Sequence, residues 1–315
     1  MANGTGRNLY IDVPLSNVVV GRRPTGFIAD RLIPIVPVSK QSALFWTTNR
    51  KEGFRHEPNI SQRAPMAEAR KITFAVSSDN YYAKNYALAS EWPAEDEVNA
   101  DQQLRIAEMH AMNVTDKLMY DLEFRTAALA TQVHTQFNVA TAWTNKSGAA
   151  IYSNLIDFID TFRQITGVKP NRMIIPTEIW KHVKRNDEIR DLLFGDRGGL
   201  ASTQQLASLL EIDEILVPEI LANSAGETET DNGSASLTPI WGNYVNLMHV
   251  NLLQGQQIDT WAQAFRWTDP KLGVPMAVER WPYDRKRKSE GLEVGYYQDE
   301  KIVATDLNMS IASIV

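Results

Sequence analysis

The first forty residues constrain this chain most. Pro14, Pro24, Pro34 and Pro37 are spread among Gly4, Gly6, Gly21 and Gly26. Proline fixes φ and removes a backbone donor, so the stretch reads as extended, without an interior helix. Yet apolar residues recur in it, at Val18-Val19-Val20, Phe27-Ile28-Ala29, Leu32-Ile33 and Ile35-Val36. A free tail does not usually carry such a load. The segment is therefore an arm that buries its side chains against something else, in the same chain or in another copy.

A second protruding element follows. Leu44 to Thr48 reads as a strand by aromatic and β-branched content, and residues 49–70 are polar. Lys71 to Val76 alternates, with Ile72, Phe74 and Val76 on one face, and Tyr81 to Leu88 continues the run. Residues 44–88 thus predict a long β-hairpin with a charged tip. An isolated two-stranded ribbon is marginal in water. It needs a partner surface, which another subunit can supply.

The remaining chain reads as ordinary packed structure. At 315 residues it has room for roughly two domains or one large elaborated one. Leu104, Ala107, Ala111, Val114, Leu118 and Leu122 keep three- and four-residue spacing, which predicts one helix from Asp96 or Asn99 to Thr131. Pro93 upstream, and an Asn99/Gln102 pair resembling a capping box, mark its start. Such a rod is roughly 45 Å long. Ser153 is the expected N-cap of an amphipathic helix carrying Leu155, Phe158, Ile159 and Phe162, with Gly167 and Pro170 as its stop.

Met173-Ile174-Ile175 and Ile215-Leu216-Val217 read as short buried strands. Between them lie helices capped by Thr177, by Asp187 and by a Ser202/Gln205 box. Helices interleaved with strands make residues 153–255 an α/β subdomain, with a mobile surface loop at 222–239. Strands close the chain at 244–250, 261–267, 274–281, 292–297 and 301–304.

Charge is uneven. Residues 1–70 hold ten Lys/Arg and five Asp/Glu, whereas the remainder holds 22 and 33. A basic arm on an acidic body can find opposite charge on a neighbour or a polyanion, and the same gradient also arises by accident on solvated surface. The net charge of −6 argues against a dedicated nucleic-acid binder. With no cysteine there is no disulfide framework, thiol catalysis or cysteine-ligated zinc. The N-terminal residues lack the apolar core of a secretory signal, and no apolar run approaches the ~18 residues of a membrane span.

Catalytic signals are weak throughout. His56, His110, His134, His182 and His249 do not pair at ligand spacing. Glu178 and His182 lie four apart, which reads as a surface helix pair. Gly195 to Gly199 lacks the Lys-Ser/Thr ending of a phosphate loop, and no Gly-x-Ser-x-Gly elbow exists. Arg285 to Lys288 is a dense basic run, read as a turn between strands in preference to a nucleic-acid patch. The eight tryptophans are spread over every segment and read as core and interface anchors.

The order of parts is more telling than any motif. An arm, a charged hairpin, a long helix, an α/β subdomain and closing strands together resemble the major capsid protein of tailed bacteriophages, the Hong-Kong-97-type fold. Phe27 to Ser42, with Ile28-Ala29-Asp30, the proline-flanked strand and Lys40-Gln41-Ser42, looks like the arm junction of those coat proteins. Gly167 to Pro176 looks like the start of their axial domain, and Trp241-Gly242 also matches.

The resemblance implies an α+β fold with an N-terminal arm (1–43), an extended β-hairpin loop (44–90) and a peripheral domain with a spine helix (91–150). An axial domain (151–257) and closing strands of the peripheral domain (258–315) complete it. It implies a structural protein, not an enzyme, with no cofactor and no metal. The chain would self-assemble as hexamers and pentamers into an icosahedral shell around double-stranded DNA held without sequence preference.

Portal, scaffolding and decoration proteins would be further partners, and no membrane would be involved. The location would be the virion, after assembly in the host bacterial cytoplasm. Candidate inter-subunit contacts are Arg22, Arg23, Arg50, Lys51, Phe54, Arg55, Arg63 and Arg70. The alternatives are an encapsulin-like nanocompartment shell and a soluble oligomeric enzyme or adaptor.

Overall fold

The computed structural model describes residues 10–22, 25–48, 61–63, 65–71, 76–99, 105–132, 136–195, 198–223, 237–253, 259–268, 273–284, 287–312 and 314. The chain divides into two compact units, each drawn from three stretches of sequence. Met1–Ala43, Tyr81–Ala128 and Ala264–Lys301 make the first, and Leu44–Asn80, Leu129–Gln263 and Ile302–Val315 the second. The expected mixture of helix and strand is observed.

The arm departs from expectation at its start. Asp12 accepts a hydrogen bond from the Leu15 amide and caps a helix, α1 (Val13–Gly21). Pro14 sits in the first turn, where its missing N–H has no intrahelical partner to lose. Proline therefore begins a helix here instead of forbidding one. A short helix, α2 (Ala29–Leu32), and a strand, β2 (Ile35–Val38), follow.

Six strands form the sheet of the first unit. β1 (Tyr10–Ile11), β13 (Ala277–Asp284), β14 (Ser289–Ile302), β12 (Ala262–Trp267) and β2 lie in that order, and β5 (Lys84–Pro93) also pairs with β14. The β5–β14 register runs antiparallel from Ser289 opposite Pro93 to Gln298 opposite Lys84. Residues 289–302 are one continuous strand, not the two expected. Burial of alternate side chains keeps it in the sheet through Gln298 and Glu300, which look like loop residues in the sequence.

Helix α4 (Ile106–Thr131) supplies much of the core. Its 26 residues span about 39 Å. Val114 and Leu118 share a cluster with Leu15 and Val19 of α1 and with Val278, Leu292 and Val294 of the sheet. Part of the arm's apolar load is thus buried within its own chain. The helix begins later than expected. Ala94–Asn99 is a separate helix, α3, and Gln102 and Leu104 lie outside the described residues. The apolar rhythm is already complete between Ala107 and Leu122, and periodicity alone does not mark an end.

The hairpin is β3 (Ser42–Thr48) against β4 (Val76–Tyr82). The return strand was expected to run from 71 to 88. Residues 72–75 lie outside the described residues, and residues 84–93 leave the ribbon for the main sheet. The change of partner falls at Ala83, which is fully buried. Its amide donates to the Gln41 carbonyl at 2.8 Å, and Gln41 Nε2 donates to the Ala83 carbonyl at 3.1 Å. Tyr81 stacks on Phe265 with ring centroids 4.5 Å apart.

The second unit holds a five-stranded sheet in the order β6 (Gln136–Asn138), β15 (Asn308–Ala312), β11 (Val245–Met248), β7 (Arg172–Ile174) and β8 (Glu214–Leu216). Leu247 stands between Met173 and Met309. Helix α5 (Ile151–Thr166) buries Leu155, Phe158, Ile159 and Phe162 as its spacing predicts, and Gly167 closes it at φ 75°.

Its start differs from the expected Ser153 cap. Ala150 is the N-cap, and Glu188 accepts the Tyr152 amide at 2.9 Å and the Ser153 hydroxyl at 2.8 Å. A carboxylate from another helix does the capping.

Helices α6 (Thr177–Val183), α7 (Asp187–Phe194) and α8 (Thr203–Leu210) complete this unit. Thr177 does not cap α6; its hydroxyl donates to the Pro218 carbonyl at 2.8 Å. Asn186, one residue before the expected Asp187, caps α7 through Ile189 N. The Ser202/Gln205 capping box is present. β9 (Leu221–Asn223) and β10 (Leu237–Pro239) pair at the two ends of the expected loop, whose residues 224–236 lie outside the described ones.

Candidate assembly surfaces

Successive side chains of a strand point to opposite faces. On β3 this buries Phe45 and turns Leu44 and Trp46 outward together, 67% and 52% exposed. Tyr82 on β4 is exposed as well. Large apolar side chains side by side on an exposed ribbon mark an interaction surface more than a fold requirement. Of the candidate contact residues, Arg63 and Arg70 lie exposed between the two hairpin strands, and Arg63 Nε donates to the Ala67 carbonyl. Arg22 is held inside the first unit, where its Nε and Nη2 each donate to Asp116 at 2.8 Å. Arg23, Arg50, Lys51, Phe54 and Arg55 lie outside the described residues.

A buried carboxylate fastens the arm. Glu123 lies on α4 in the row of Met119 and Ala127, four residues to either side, and it is fully buried. It accepts the Ala29 amide at 2.9 Å and the Ile28 amide at 3.2 Å, at the start of α2. Sequence reading passed over it, although a charge in an otherwise buried helical row was a visible signal. Hydrogen bonds to a charged group contribute about 1.5–3 kcal/mol. Glu123→Ala is therefore expected to destabilise the first unit by roughly 2–3 kcal/mol and to speed proteolysis of residues 25–38. Glu123→Gln, which keeps one acceptor oxygen, falls between. Unchanged cleavage in the alanine variant contradicts this role.

A second network joins α4 to β14. Tyr296, Gln298 and Glu300 alternate on one face of the strand. Arg125 donates from Nε and Nη2 to the two Glu300 oxygens at 3.1 Å each, and Nη2 reaches the Tyr296 hydroxyl at 3.0 Å. Its guanidinium carbon lies 3.7 Å from the centre of the Tyr86 ring. Gln298 Nε2 donates to Glu300 at 2.6 Å, and Arg266 Nε donates to Gln298 Oε1 at 2.8 Å. Burial works against the Arg125 charge, but its bonds to Glu300 and Tyr296 outweigh that and hold its pKa above the ordinary value.

Burial raises the pKa of Tyr81, Tyr86, Tyr120 and Tyr296 above the ordinary value of 10.0. For each, the fold favours the neutral phenol. That contribution to stability is complete below the unfolded pKa and is lost as pH rises through the folded one. Denaturant midpoints are expected to hold from neutral pH to about 10 and to fall beyond it, with a late fraction of the tyrosinate absorbance appearing only on unfolding. All tyrosines ionising together in the native protein contradicts this.

No grouping of three or more His, Cys, Asp or Glu suited to a metal occurs among the described residues. Glu178 pairs with Lys181, not with His182, whose pKa burial lowers, with Lys181 and Arg185 adding to the effect. Arg287 and Lys288 lie in the turn between β13 and β14, as expected, and Arg287 reaches Glu91 at 3.5 Å. No described helix is long and apolar enough to cross a membrane.

No family model matches the chain. Its sequence is 21% identical over 318 residues to a major capsid protein of Pseudomonas phage JBD67, covering 97% of each chain. Among solved structures, a phage-related protein from Bordetella bronchiseptica superposes with a TM-score of 0.75 at 18% identity, covering 97% of this chain and 98% of that one. The capsid structure of cyanophage P-SCSP1u gives 0.59 at 12% identity, over 92% of this chain and 90% of that one. The fold is that of phage capsid proteins.

Proposed function

We infer that this chain is the major capsid protein of a tailed bacteriophage, a structural subunit that assembles into an icosahedral shell around double-stranded DNA. One observation carries the reading. The likeness covers 97% of both chains in sequence to a phage major capsid protein, and 92% of this chain and 90% of the other in structure to a phage capsid, which supports a whole capsid subunit with its arm and hairpin.

In this reading residues 44–90 reach over a neighbouring subunit. Residues 1–43 form the arm, and residues 91–150 and 258–315 the peripheral domain with its spine helix. Residues 151–257 form the axial domain, which meets its copies in hexamers and pentamers. Heterologous contacts of this kind close into rings, and many modest contacts together hold a shell. Leu44 and Trp46 supply the apolar part of the hairpin contact. Arg50, Lys51, Arg55, Arg63 and Arg70 supply its basic part, Phe54 adds apolar surface, and Arg22 and Arg23 meet a neighbour from the arm.

DNA is held without sequence preference, so its contact weakens with salt. Portal protein sits at one vertex, and scaffolding and decoration proteins act on the outside or inside of the growing shell. Assembly takes place in the host cytoplasm, and the finished protein resides in the virion. No catalytic step is assigned to the chain.

Light scattering and electron microscopy of the purified chain, alone and with scaffold and portal proteins, test the reading. Closed shells are the expected result. A small monodisperse species that persists on concentration with those partners overturns it.

A further inference from the structure

We propose that the first unit carries a binding site for a small uncharged apolar molecule, in a cavity between the arm and α4. The cavity measures about 250 Å³. Val19, Phe27 and Ala29 line it from the arm, Met119 and Leu122 from α4, and Met276 from the approach to β13. An apolar cavity of about 150 Å³ already accepts benzene, and water takes about 30 Å³ per molecule. This one therefore has room for an alkylbenzene in place of roughly eight waters. Methionine walls adapt readily to irregular guests.

Charge narrows the ligand class. Asp30 and Glu123 stand among the lining residues with Arg31 and Arg266. Two carboxylates balance two guanidiniums. Glu123 is engaged with the Ile28 and Ala29 amides, and Arg266 with Gln298. The wall thus carries no net charge that would favour an ionic headgroup of either sign. The remaining surface selects for apolar shape. Since one wall is the arm and another is α4, an occupant ties them together and slows opening of residues 13–36. This site stands independently of the shell reading.

The test is titration of the full-length chain, labelled with 13C at the methionine methyls, with n-butylbenzene. Met119 and Met276 are expected to shift saturably, while Met173 and Met309 in the second unit stay in place. 4-Phenylbutylamine and 4-phenylbutyrate are expected to bind at least tenfold more weakly. Ala29→Leu and Val20→Phe, the latter at a further lining residue of α1, are expected to abolish the shift. Val20 is 42% exposed, so its variant leaves core packing intact, and unmoved Met109 and Met112 signals from α4 certify the fold of the first unit. Absence of saturable shifts, equal shifts at all methionines, or charged analogues binding as tightly as n-butylbenzene overturns the proposal.

Discussion

Replacing Leu44 and Trp46 together by threonine is expected to suppress shell formation while leaving the melting temperature of the dispersed subunit within about 2 °C of the parent. Threonine is β-branched, which suits a strand, so β3 should persist. What disappears is apolar surface that is 67% and 52% exposed in the subunit and so contributes little to its fold. Burying two such side chains against a neighbour stabilises a contact by roughly 3–6 kcal/mol in total. At 1.4 kcal/mol per tenfold, the concentration needed for assembly rises by about 100-fold or more. Light scattering against concentration reads this directly. Deleting residues 50–69 should act in the same direction. Normal shells from the double variant would move the apolar contact away from β3.

Arg125→Met carries the opposite signature, a loss of stability in the subunit itself. Removing the guanidinium leaves the Glu300 carboxylate, only 5% exposed, without its bidentate partner. Breaking one side of a buried pair costs about 3–5 kcal/mol, which lowers the melting temperature by roughly 10 °C. Arg125→Met combined with Glu300→Leu is expected to recover most of that loss, because no buried charge then remains. The cycle of single and double variants isolates the coupling. A single variant that melts with the parent would show that Glu300 is satisfied without Arg125. The pKa of Arg125 is held above its already high ordinary value, so its contribution persists across the whole stable pH range of the protein.

Features set by a few neighbouring residues were legible in the sequence. The apolar spacing of α5, its Gly167 stop and the Ser202/Gln205 box all report local geometry, and each appears where expected. The α1 helix was misread for a local reason. Asp12 and Pro14 are start signals, but the density of proline around them suggested extended chain. Caps supplied from a distance could not be read at all. Glu188 reaches the start of α5 from 35 or 36 residues away, and the Thr177 hydroxyl finds a carbonyl 41 residues on.

The sequence by itself determined that this chain has a proline-punctuated arm and an amphipathic ribbon with more apolar surface than they can cover, attached to a body of helices and strands. That follows from composition and period, which are properties of neighbours along the chain. Only the tertiary structure decided where the tyrosine-rich run divides at Ala83, that α4 turns a carboxylate toward the arm and a guanidinium toward β14, and which apolar residues of the arm are covered internally. Those outcomes depend on pairing between residues 42, 94 and 175 positions apart. A buried charge or a change of strand partner is stable only when that distant group is in place.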